Sequence, residues 1–125
     1  MNYKVTYVTK SLKNFKLICK KYKFMGLLDF LFGNKKDAIK DFQNRKAIII
    51  DVRTTKEYNQ GAIADSKNIP LQIINSKIDE IKQLNRPVIT CCASGVRSAS
   101  AATILKNNGI EAMNGGGWMS LKNKL

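Results

Sequence analysis

Histidine is absent from this 125-residue chain. With it goes the Cys–His pairing on which thiol proteases depend. Cysteine is scarce as well: Cys19, Cys91 and Cys92 cannot build a disulfide framework, and the two sequence neighbours would close only a strained ring. Such usage suits a reducing compartment. No apolar run approaches the length of about 20 residues that spans a bilayer, and the basic start lacks the run of about 7 apolar residues and the small-residue cleavage site of a secretory signal. The chain therefore reads as cytoplasmic. Acidic residues are few, nine against 22 Lys and Arg, for a formal charge of +13. The excess is unevenly placed: residues 1–24 hold Lys4, Lys10, Lys13, Lys16, Lys20, Lys21 and Lys23 and no acid. More than half of the charge thus belongs to a tail that carries none of the arginines of a specific nucleic-acid reader, and no nucleic-acid partner is expected.

What is present is enough for one domain: 44% hydrophobic residues in a chain of this length supply a single core. Residues 1–24 follow no period and receive no assignment. The segment "MGLLDFLFG" behind them has three readings. It is an alternative translation start, a short helix packing Leu27, Leu28, Phe30 and Leu31, or part of a leader (residues 1–33) lying on an anionic membrane surface.

From Asn34 the pattern becomes regular, and residues 34–125 form the expected domain. Ala38, Ile39 and Phe42 share a helical face, and "KAIII" is a strand covered on both sides. Thr54 and Glu57 make a capping box for a short helix that Gly61 ends. Ile74, Ile78 and Ile81 line another helix, "RPVITC" is a second buried strand, and Ser98 to Asn107 is a fourth helix. "IEAM" reads as a last strand, with Gly115 to Gly117 a flexible bend before Trp118. Strands alternating with helices mean an α/β domain with a mostly parallel sheet.

The stretch "CCASGVRSA" begins at the carboxyl end of the second buried strand, where sites form in such sheets. A thiolate is stabilised by converging amides, by a helix N-terminus or by a nearby cation. Ala93, Ser94, Gly95 and Val96 are small enough to curl their N–H groups around a sulfur, and Gly95 permits a positive φ. Arg97 adds a charge. Cys92 is the candidate nucleophile; Cys91 points to the other side of the pleat and reads as a core residue.

These residues resemble the active loop of single-domain rhodanese-like sulfurtransferases, in which the catalytic cysteine is followed by two residues, a glycine, one residue, then arginine and serine. Gly95, Arg97 and Ser98 fall in register with Cys92. "DVRTTKEYNQGAI", "NIPL" and "GGGW" are similar to further family segments. The resemblance implies a five-stranded parallel sheet with helices on both faces and a persulfide mechanism on Cys92. The loop from Ala93 to Ser98 would bind the sulfur, and Asp51, Arg53 and Glu57 would form a structural network, with Arg53 and Glu57 as an ion pair. Expected partners are small donors such as thiosulfate and thiol, protein or cyanide acceptors, with no metal and no cofactor. The alternative within the same fold is a non-enzymatic sulfur carrier or docking module. Four residues between Cys92 and Arg97 match the sulfurtransferases; the phosphatases that look like rhodaneses have five.

Overall fold

The computed structural model describes residues 34–125, so the expectations for the basic leader, the segment from Met25 and Cys19 lie outside the described residues. Helix α1 (Lys35–Asn44) leads into strand β1 (Ile48–Asp51), the short helix α2 (Thr55–Asn59) and strand β2 (Lys67–Asn68). A 3-10 segment (Leu71–Lys77) runs into α3 (Ile78–Gln83), followed by β3 (Val88–Cys92), α4 (Val96–Asn107), β4 (Ala112–Gly117) and α5 (Trp118–Lys122). The strands pair in parallel in the order β2-β1-β3-β4. The described residues hold four strands rather than the five that the resemblance implies, since they enter the sheet directly from a helix. None of their helices is long and apolar enough to cross a membrane.

The side-chain alternation of a strand sorts the core into two layers. Ile48, Ile50 and Val52, with Val88 and Cys92, face α3 and α4 and pack with Ile74, Ile78, Ile81, Ala101, Ala102 and Leu105. Ile89 and Cys91 face the opposite layer, against Ile39 of α1 and Leu121 of α5, with Phe42 and Trp118 at its border. Helices therefore cover both sheet faces, as a parallel sheet requires. Ala38, expected on the buried face of α1, is exposed; Ile39 alone of that helix is fully buried.

Two boundaries differ from the sequence reading, and both differences involve glycine. Helix α4 starts at Val96 rather than Ser98, because Gly95 takes φ +105° and turns the chain so that its carbonyl already accepts from Ala99 N–H. Gly115 to Gly117 are not a bend but the second half of β4, whose register against β3 slips between Thr90 and Cys92. The slip is a bulge, a common device beside functional loops. Close approach explains the glycines: a Cβ on Gly115 would stand 2.8 Å from Ile89 Cγ2, Leu121 Cδ2 and the Thr90 carbonyl oxygen. One on Gly117 would stand 2.8 Å from the Ala93 carbonyl oxygen. Gly115→Ala is accordingly expected to destabilise the domain by about 1–3 kcal/mol through overpacking, read as a lower urea midpoint at unchanged slope.

Candidate active site around Cys92

Three segments far apart in sequence converge at the carboxyl end of the sheet: the end of β1, the turn after β3, and the bulged end of β4. Parallel pairing makes this convergence unavoidable, since all strands deliver their last residues to the same edge.

The turn after β3 wraps back on its own strand. Cys92 is fully buried, and its Sγ accepts hydrogen bonds from Gly95 N–H at 3.0 Å and Ser98 N–H at 3.4 Å. The Ser98 hydroxyl lies 3.3 Å from the same sulfur. Burial pushes the Cys92 thiol up, but the Ser98 hydroxyl and the amides of Ser98, Gly95 and Ser94 act against it, and the net result is a pKa below the ordinary value. Cys91 has the opposite environment. Burial, with the Asp51 carboxylate beside it, raises its pKa to about 12, so the thiol stays protonated. Two adjacent cysteines thus differ because the pleat sends one to the amide turn and the other into the apolar layer.

The other expected site residues are distributed as follows. Ala93 and Ser94 are exposed at the turn, Gly95 and Ser98 supply the amides that meet the sulfur, and Val96 stands 73% exposed at its rim. Arg97 does not leave its charge open: Nη1 and Nη2 donate to the Glu57 carboxylate at 2.8 and 2.9 Å. Glu57 in turn accepts from Thr54 N–H at 2.9 Å in the expected capping box. The Arg97 guanidinium and the capping bonds hold the Glu57 carboxyl far below the usual carboxylate range. Such a lowered pKa keeps the latch present above the ordinary carboxylate range and well into acid, and only deep acidification releases it.

The expected ion pair between Arg53 and Glu57 is not formed. Arg53 reaches Glu57 only at its backbone carbonyl, and its guanidinium binds Asp51 instead, with Nη2 at 2.7 Å from Oδ2 and Nε at 3.0 Å from both oxygens. Spacing of four favours a pair only while both residues lie on one helix; Arg53 lies in the connection between the end of β1 and Thr54, the N-cap of α2. The Asp51–Arg53 pair is buried on both sides, with side-chain exposures of 0% and 5%. The Gly61 carbonyl accepts from Arg53 Nη2 at 2.7 Å, and the Trp118 ring stacks 4.6 Å from its Cζ.

Three contributors received no role from the sequence, although Asn68 and Trp118 belong to the "NIPL" and "GGGW" segments. Asn68 Nδ2 donates to the carbonyls of Asp51 and Arg53, tying the end of β1 to β2. Trp118 packs on Arg53 and on Gly61, joining the "GGGW" and "DVR" segments. Asn114, just before the glycines, donates from Nδ2 to the Gly95 carbonyl at 3.1 Å, while its Oδ1 accepts from Ser98 Oγ at 2.7 Å and Gly116 N–H at 2.9 Å. A lone asparagine before three glycines suggests a turn; only the bulge in β4 shows that it faces the cysteine loop.

Comparison with known proteins places this geometry in context. A family model described as Rhodanese-like domain matches residues 34–124. Among curated proteins, the chain is 42% identical over 65 residues to the uncharacterized protein YqhL of Bacillus subtilis, covering 52% of this chain and 51% of that one. It is 36% identical over 62 residues to a sulfurtransferase of Allochromatium vinosum, covering 50% and 57%. The matches span about half the length of these relatives. Among solved structures, a rhodanese-like domain protein from Staphylococcus aureus superposes with a TM-score of 0.54 at 33% identity, covering 67% of this chain and 86% of that one.

Proposed function

Because the chain belongs to the rhodanese-like domain family, we propose that its residues 34–125 form a sulfurtransferase domain that carries sulfane sulfur as a persulfide on Cys92. The observation that carries this reading is the buried Cys92 sulfur facing the N–H groups of Gly95 and Ser98. Preorganised donors of this kind stabilise a sulfur anion without reorganising during the reaction.

In the first half-reaction the Cys92 thiolate attacks the outer sulfur of the donor. With thiosulfate the S–S bond breaks, sulfite leaves with the bonding pair, and the outer sulfur remains on Sγ. In the second half an acceptor thiolate or cyanide attacks that outer sulfur, and Cys92 departs as a thiolate. Ala93, Ser94 and Val96 shape the loop, and the Arg97–Glu57 pair fixes its far side to α2. The site takes no metal and no cofactor in this scheme.

One observation bears on the donor. Arg97 is neutralised by Glu57, and Ala93 and Ser94 carry no charge, so among the described residues the mouth offers little to hold a dianion. Thiosulfate then serves as a slow surrogate for low-molecular-weight or protein persulfides. The test is thiocyanate formation by the full chain with cyanide and either thiosulfate or a low-molecular-weight persulfide. Transfer from both is expected, faster from the persulfide, with a rate that rises with pH and levels off below the ordinary thiol range of about 8.5. Absence of transfer from either donor would overturn the reading.

A further inference from the structure

Ser98 has one hydroxyl proton and two places to put it. Its Oγ lies 2.7 Å from Asn114 Oδ1 and 3.3 Å from Cys92 Sγ. The Asn114 amide cannot exchange its ends, because Nδ2 donates to the Gly95 carbonyl and Oδ1 accepts from Gly116 N–H. Asn114 therefore always presents an acceptor to Ser98. When Cys92 is a thiol, a consistent chain runs from S–H to Ser98 Oγ and from Ser98 O–H to Asn114 Oδ1. When Cys92 is a thiolate it has no proton to give, and the strongest use of the Ser98 proton is on the sulfur.

We propose that Asn114 is a positioning residue that holds the Ser98 hydroxyl proton whenever Cys92 carries no negative charge and releases it to the sulfur when the thiolate forms. This deepens the sulfurtransferase reading and rests on it for its place in the cycle. In the persulfide the charge sits on the outer sulfur, Cys92 Sγ is a weak neutral acceptor, and the Ser98 proton returns to Asn114. On discharge the acceptor bonds to the outer sulfur, the S–S bond breaks with its electron pair going to Sγ, and the Ser98 O–H swings to meet the new charge. The hydroxyl is thus partnered in every state, so no buried donor is orphaned at any step.

The charges around the site are already paired. Arg97 of α4 is paired with Glu57 of α2, and Asp51 at the end of β1 is paired with Arg53. Cys91, a further titratable neighbour among the described residues, stays protonated to about 12. The flanking residues of β4, Met113 and Gly115 to Gly117, carry no charge.

The test reads the pH midpoint of Cys92 alkylation by iodoacetamide in the full chain, quantified on the Cys92 peptide, with no sulfur donor present. It therefore stands whether or not thiosulfate loads the enzyme. Ser98→Ala is expected to raise the midpoint by about one pH unit, the order of one lost hydrogen bond to a charged group. Asn114→Ala removes the competing acceptor and is expected to lower it by about half a unit. The double variant should behave as Ser98→Ala alone. A residue that merely braces the loop gives the opposite sign, because a slack loop withdraws amides from the sulfur. A raised or unchanged midpoint in Asn114→Ala, or an equal shift with and without Ser98, would overturn the proposal. Should Asn114→Ala fail to fold by circular dichroism, Asn114→Asp replaces it: the carboxylate holds the Ser98 proton more tightly and raises the midpoint, and that rise must shrink in the Ser98→Ala background. A rise of the same size in both backgrounds contradicts the mechanism.

Discussion

Asp51→Ala is expected to destabilise the domain by about 3–5 kcal/mol, the cost of leaving a buried charge without its partner. The expectation follows from the enclosure of Arg53, whose side chain is 5% exposed beneath the Trp118 ring. Asp51 receives the guanidinium at both carboxylate oxygens and also the Arg53 N–H at 3.0 Å. Without the carboxylate, the guanidinium keeps only the carbonyls of Gly61 and Glu57 as acceptors. Those cannot neutralise its charge. Replacing both members, as in Asp51→Ala with Arg53→Met, removes the charge altogether and is expected to recover much of the loss, because a buried pair contributes little net stability over apolar residues. Urea midpoints at unchanged slope measure both variants. Equal stability of Asp51→Ala and the native chain would show that the pair is not enclosed as described.

Cys92→Ser is expected to abolish sulfur transfer, whereas Cys91→Ser should retain it within a few-fold. A serine hydroxyl in the Cys92 position is a far weaker nucleophile than a thiolate and cannot form a persulfide. Cys91 cannot substitute. It lies in the other layer among Ile39, Ile63, Ile89 and Leu121, with a thiol that remains protonated. Its replacement puts a hydroxyl where a thiol packs in an apolar layer and reads mainly in stability. The thiocyanate assay with each donor separates the two variants: residual transfer by Cys92→Ser at the native rate would remove Cys92 from the reaction.

The alternation of strands and helices and the place of the cysteine loop were legible in the sequence because both depend on local patterns. Runs such as Ile48 to Ile50 and Val88 to Cys92 announce covered strands, and the capping box of Thr54 and Glu57 specifies a helix start by chemistry within four residues. The period of two also separates Cys91 from Cys92 in the sequence itself. What escaped was long-range. Arg53 chose Asp51 over Glu57 because β1 ends before α2 begins, and Glu57 found its cation forty positions away in Arg97. The glycines of β4 signalled a bend on composition, but their missing side chains serve close packing against Ile89, Leu121 and Ala93. Asn114 was invisible for the same reason: its partners Gly95 and Ser98 lie on another element.

The central claim is that Cys92 carries sulfur, and intact mass tests it most directly. The full chain, free of reductant, is weighed before and after incubation with thiosulfate and with a low-molecular-weight persulfide, beside Cys91→Ser and Cys92→Ser. The account predicts a gain of one sulfur atom in the native chain and in Cys91→Ser, no gain in Cys92→Ser, and loss of the added mass on treatment with cyanide. A gain that survives in Cys92→Ser, or no gain with either donor, would contradict it.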